Sequence, residues 1–131
     1  MKKLLTIVFL FVSLTIFSQN VFNYKAINYS YSYETNGVWT KYTEWIACDV
    51  NVTANFKKGL IDVDNKNDDI FYIYSSRDPF TTNDGIKVLT LSCRDKNDGY
   101  CQCHFMEAGN NTLFLLIEYS DARVMYNLRP L

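Results

Sequence analysis

The sequence predicts an all-β fold, an antiparallel meander of about eight short strands that forms a small barrel or sandwich stapled by disulfides. Three observations carry this expectation. Apolar and polar residues alternate with period two through most of the chain. Short turn signals interrupt the alternation at regular spacing. Beyond the N-terminal apolar run, no useful window has helical periodicity, and no internal repeat or low-complexity tract breaks the pattern.

The N-terminus stands apart. Lys2 and Lys3 precede an apolar run, Leu4 to Phe17, broken only by Thr6, Ser13 and Thr15. This is the layout of a secretory signal peptide, and the run is short for a membrane span. Ser18 is a small residue at the expected cleavage point, which divides the chain into a leader, 1–18, and an all-β domain, 19–131. The first cysteine is Cys48, so no thiol stands at the cleavage point to take a lipid. The expected location is the periplasm or the medium. Losing Lys2 and Lys3 leaves 11 of the 13 basic residues against 14 acidic ones, a net charge of about −3. A surface of that balance offers no basic footprint for nucleic acid. No further long apolar stretch follows, so no membrane span is expected in the mature chain.

The strands follow in order. Ile27, Tyr29, Tyr31 and Tyr33 share one face, with Asn28, Ser30, Ser32 and Glu34 on the other. Asn36-Gly37 is a tight hairpin turn. From Trp45, the residues Ile46, Cys48, Val50, Val52, Ala54 and Phe56 alternate with polar partners, as in a half-buried antiparallel strand. Lys57-Lys58-Gly59 turns the chain into a short strand, Leu60 to Val63, and Asp64 to Asp69 turns it again. Ile70 to Ser75 sets Ile70, Tyr72 and Tyr74 on one face. A loop over 76–85, containing Pro79, precedes strands at 86–94, 100–106, 113–119 and 124–128.

Three of the four cysteines and the only histidine fall in residues 92–105. Asp95 to Gly99 separates two alternating runs, so this stretch is a β-hairpin. A five-residue loop sets Cys93 opposite Cys101 and Lys87 opposite Glu107, a favourable cross-strand ion pair. A three-residue loop would set Cys93 opposite Cys103. The first register is preferred. In a small exported chain, four cysteines point to two disulfides among Cys48, Cys93, Cys101 and Cys103. Cys101 and Cys103, two apart in a strand, stand roughly 6.7 Å apart with parallel side chains, whereas a bridge wants Cβ atoms about 3.8 Å apart. The favoured pairing is Cys93–Cys101 with Cys48–Cys103, the alternative Cys93–Cys103 with Cys48–Cys101. The long bridge would contribute about 4 kcal/mol and the hairpin bridge about 2.5 kcal/mol.

Zinc is the rival for these residues, but the spacing is not a paired CxxC ribbon, and His104 points away from Cys103 in a regular strand. Cys-Gln-Cys also lacks the CxxC spacing and the helix N-terminus of a redox motif. His104 has no motif partner for catalysis, and no GxSxG, phosphate loop or HExxH occurs. Asp62, Asp64, Asp68 and Asp69, like Asp95, Asn97 and Asp98, crowd turns without EF-hand spacing, and turn chemistry accounts for them. Sequons occur at Asn28, Asn51 and Asn110. No catalytic residue, metal ligand or cofactor is assigned.

The candidate binding surface is aromatic: Tyr29, Tyr31, Tyr33, Trp39, Tyr42 and Trp45. Such rings stack on sugars and anchor interfaces. The competing reading packs the tyrosine stripe inside a barrel as ordinary core.

Trp45-Ile-Ala-Cys48, Cys93-Arg-Asp95 with Gly99 and Cys101, Tyr119-Ser-Asp121 and Tyr126 together resemble uncharacterised small secreted all-β proteins of Bacteroidetes-type bacteria. The resemblance implies export and a compact β fold, and it carries over no activity. The expected function is a non-catalytic exported module that binds a small ligand or glycan. The alternative is a periplasmic inhibitor or immunity-type protein directed at another protein, for which the 76–85 loop is the candidate surface. An enzyme is the remaining reading.

Overall fold

The computed structural model describes residues 20–109 and 112–131. The expected leader and the Asn110 sequon lie outside the described residues. Among the described residues ten strands form: β1 (Val21–Thr35), β2 (Val38–Trp39), β3 (Ile46–Asn55), β4 (Leu60–Asp64), β5 (Asp69–Ser76), β6 (Phe80–Thr81), β7 (Lys87–Asp95), β8 (Tyr100–Ala108), β9 (Thr112–Glu118) and β10 (Ala122–Pro130). No helix among the described residues is long and apolar enough to cross a membrane.

Eight of the strands close into an antiparallel barrel and not a sandwich. The order runs β10-β9-β8-β7-β5-β4-β3-β1, and β1 pairs with β10 to complete the circle. Closure satisfies both edges, which otherwise present unpaired backbone groups. At eight strands, side chains fill the interior. Here Ala26, Val52, Ile61, Val63, Phe71, Leu89, Leu91, Phe105, Leu115, Ile117 and Leu128 are all buried in one cluster.

Turn chemistry sets the hairpins. Asn36 and Gly37 both have positive φ, 52° and 81°, the type I′ geometry that matches the twist of flanking strands. The 95–99 loop gives the five-residue register, with Cys93 opposite Cys101 and Lys87 opposite Glu107.

Two bulges and one short strand depart from plain alternation. In β1 the register shifts between Ala26 and Asn28 against both neighbours. Ile27 is the extra residue, so it does not share the face of Tyr29, Tyr31 and Tyr33 as alternation predicts. In β5 the shift between Ile73 and Ser75 makes Tyr74 the extra residue. Past that bulge the β5–β7 pairing ends at Ser76 and Leu91, leaving the start of β7 open. β6 fills the gap by pairing Phe80 with Val88 and Thr81 with Lys87, so the expected 76–85 loop contains a strand.

All four cysteines are free thiols in the structure. Topology rules out the favoured long bridge. β3, which carries Cys48, lies four strands from β8 in either direction. Eight strands at their usual spacing and tilt make a barrel roughly 16 Å across, whereas a disulfide needs Cα atoms within about 7 Å. Neither Cys48–Cys103 nor Cys48–Cys101 can form without opening the barrel.

Candidate functional site

The outer face of the barrel carries a cross-strand row of polar side chains. Ser92 on β7 stands opposite Gln102 on β8, Gln102 opposite Glu118 on β9, and Glu118 opposite Arg123 on β10. Three of the four are outward neighbours of buried core residues: Ser92 of Cys93, Gln102 of Cys101 and Cys103, Glu118 of Ile117. The strand period places four hydrogen-bonding groups of different kind side by side at one level.

Aromatic rings frame this row. On one side Tyr74, turned out by its bulge, meets Tyr100 edge-on with ring centroids 5.9 Å apart. The two are 61% and 64% exposed, unusual for rings that are not covered. On the other side stands Trp39, with the Arg123 guanidinium 4.2 Å from its ring centroid and 4.9 Å from that of Tyr42. The result is an open groove of about 370 Å³ lined by Trp39, Tyr74, Ser92, Tyr100, Cys101, Gln102, Glu118, Tyr119 and Ser120.

Trp39 is held by the segment that follows it. Residues 40–43 fold back over the outer side of β1. Ser32 Oγ donates to the Thr40 carbonyl at 2.6 Å, and Ser30 Oγ donates to the Thr43 carbonyl at 2.6 Å. The Tyr33 and Tyr31 amides donate to Thr40 Oγ1 and Thr43 Oγ1. This hydroxyl ladder explains why Ser30 and Ser32, polar and outward-facing, are buried.

The upper rim of the barrel, beside the groove, is a second polar cluster. Asp95 caps its own turn, accepting hydrogen bonds from the Asn97 amide at 2.9 Å and the Gly99 amide at 2.7 Å. Its Oδ2 accepts the Tyr119 hydroxyl at 2.7 Å. That hydroxyl, helped by the two amides, holds the Asp95 carboxyl below the usual carboxylate range. Directly inside are Cys93, Cys101 and Cys103. The neighbouring Cys101 and Cys93 thiols, together with burial, push the Cys103 thiol well up, whereas Cys103 draws the Cys101 thiol down.

The aromatic residues picked from the sequence divide. Trp39 lines the groove. Tyr42 stacks on Arg123 beside it. Trp45 stacks on Phe114, centroids 6.0 Å apart, further down the outer face. Tyr29, Tyr31 and Tyr33 run along the inside of the rim. Tyr29 contacts Tyr126 of the core, and only Tyr33, 53% exposed, reaches solvent freely. Tyr29 alone of the three packs against the core, and Tyr31 is part-buried between its two neighbours. Tyr74, Tyr100, Tyr119, Ser92, Gln102 and Glu118 were missed. Their signal was present in part, because Ser92 and Gln102 alternate with the cysteines of a hairpin whose register was readable. Cys48 stands on the far wall, near Tyr126 and Tyr29.

His104 points outward, as expected. Its Nδ1 lies 2.9 Å from Thr90 Oγ1 and its Nε2 3.4 Å from Glu118 Oε1. Thr90 is only 3% exposed, so the Thr–His–Glu row is not laid out as an accessible nucleophile with its base.

Comparison with family models, with curated proteins and with solved structures gives no match for this chain.

Proposed function

We propose that this protein is an exported, non-catalytic binding module that takes a glycan in the outer groove. The observation that carries the reading is the polar row Ser92–Gln102–Glu118–Arg123 set between Trp39 and the Tyr74–Tyr100 pair. A pyranose offers C–H faces that lie on aromatic rings and hydroxyl edges that pair with amides, carboxylates and guanidinium groups. The filled interior argues against a ligand held along the barrel axis. Residues 1–18 supply the export signal, placing the protein in the periplasm or the medium. There an oxidising environment favours one hairpin staple, Cys93–Cys101, in place of two bridges.

The test is calorimetric titration of the full chain with soluble cello-, chito- and malto-oligosaccharides. Binding by one series, lost in Trp39→Ala and Gln102→Ala but kept in Trp45→Ala, is the expected result. No heat with any series, or equal binding by all three variants, removes the reading.

One observation favours a protein-directed alternative. Tyr72, Tyr74 and Tyr100 are all exposed around Arg94, and Tyr72–Arg94–Tyr100 form a single cross-strand row. Exposed rings of this kind serve as interface anchors. Phe80, in the segment first suspected, is also exposed but stands several residues down β7 from this row. Recovery of one stoichiometric protein partner, lost in Tyr72→Ala, would favour the alternative.

A further inference from the structure

We infer that the groove is also a thiol–disulfide exchange site, in which Cys101 attacks a low-molecular-weight aliphatic disulfide and Cys93 resolves the adduct into a Cys93–Cys101 bridge. The product is the staple proposed above, and the inference rests on that reading for its end point. It adds the route, the entry point and the order of the thiols.

Three observations converge. Cys101 is the cysteine that lines the groove. It is 5% exposed, while Cys93 and Cys103 are fully buried. Among the three hairpin thiols a reagent arriving through the groove therefore meets Cys101 first, while Cys48, the more exposed cysteine across the barrel, has its thiol pushed up by burial and by the neighbouring Asp49. Next, Cys93 is the direct cross-strand partner of Cys101. The Asp95 amide bonds to the Gly99 carbonyl two residues along the ladder, so Cys93 and Cys101 form a hydrogen-bonded pair with Cα atoms about 5.5 Å apart. That spacing falls inside the disulfide window. Finally, Cys103 is the next inward residue of β8 after Cys101, and its interaction with Cys101 draws the Cys101 thiol down. Its S–H stabilises a thiolate at Cys101 Sγ, as a positioning residue. Cys48, across the barrel, takes no part.

The chemistry balances with the disulfide as oxidant. Cys101 gives its proton to water, and its thiolate attacks one sulfur of the reagent. The reagent's S–S bond breaks, and one thiolate leaves and takes up a proton. Cys93, deprotonated in turn, attacks Cys101 Sγ, and the second reagent thiolate leaves. Two protein thiols lose two electrons and two protons. The reagent gains both and becomes two thiols.

The experiment treats the reduced, folded full chain with oxidised glutathione in the absence of denaturant. Samples are quenched in acid, alkylated and mapped by mass spectrometry. A glutathione adduct on Cys101 at early times, converting to a Cys93–Cys101 bridge with Cys48 left alkylated, is expected. Cys93→Ala should accumulate the adduct, and Cys101→Ser should lose the reaction. Cys103→Ala should still form the bridge but shift the pH profile of adduct formation upward, which a purely structural loss would not do. The wild-type map needs no variant to fold. A first adduct on Cys48, or no reaction while the fold is intact, overturns the inference. A bridge that forms only on oxidative refolding overturns the exchange site and leaves the staple standing. No bridge by either route overturns both.

Discussion

At Gly99 an added Cβ would lie 2.8 Å from Asp95 Oδ2, closer than carbon and oxygen can approach. Only glycine lets the Asp95 carboxylate sit over its own turn and still receive the Tyr119 hydroxyl. Gly99→Ala should therefore displace Asp95, free Tyr119 and cost about 1–3 kcal/mol, read by urea denaturation at pH 7. Asp95→Asn should cost less at pH 7 and should also flatten the acid limb. Because the folded state holds this carboxyl below its ordinary value, its contribution is present at neutral pH and disappears as the pH falls through the folded value. An acid limb unchanged in Asp95→Asn would contradict this. Glu107 has the opposite sign. It is 2% exposed and faces the interior, where Lys87 Nζ lies 3.7 Å from Oε1, and Oε2 has no hydrogen-bond partner. Burial pushes its carboxyl up, so the folded protein holds the proton more tightly than the unfolded chain, and stability declines as the pH rises through the carboxylate range. Glu107→Gln should be neutral or stabilising at pH 7. Lys87→Ala should lose about 1–3 kcal/mol, since it leaves the buried carboxylate without its counter-charge.

At the scale of elements, the segment after β2 is fastened by hydroxyls rather than by apolar burial. Removing both Ser30 and Ser32 side chains, as Ser30→Ala with Ser32→Ala, should cost about 1–3 kcal/mol in thermal or urea unfolding. The same change should loosen Trp39 and weaken ligand binding beyond what the stability loss explains. The parts of the fold that could be read from the sequence are those fixed by local chemistry. Asn36-Gly37 specified its turn because both residues tolerate positive φ. The 95–99 loop specified its register because Asp, Asn and Gly there close a known loop length, with Lys87 and Glu107 as a check eight residues away. Bulges were not legible, because alternation reads straight through an extra residue at Ile27 or Tyr74. β6 was hidden for a different reason. Two residues beside a proline carry no periodicity, and the strand exists only because the β5 bulge leaves the start of β7 unpaired.

At the scale of the molecule, the sequence indicated a barrel or a sandwich but not which strand met which beyond neighbouring hairpins. Closure pairs β1 with β10, the two ends of the described chain, and no local signal announces a contact of that separation. That closure put Cys48 across the barrel from the hairpin thiols and undid the two-bridge staple. It also assembled the groove. Ser92–Gln102 belongs to one readable hairpin, but Glu118 and Arg123 join it through two further pairings, and Trp39 arrives from β2 at the other end of the chain. A candidate surface chosen by aromatic clustering along the sequence found Trp39 and missed the rest for this reason. The most direct test of the account is an amide NMR titration of the full chain with the oligosaccharide series that gives heat. The account predicts shifts confined to Trp39, Ser92, Gln102, Glu118 and their neighbours on the outer face. Shifts centred on Leu89, Leu115 and Ile117, or spread evenly over the barrel, would place the ligand inside or nowhere specific and would contradict it.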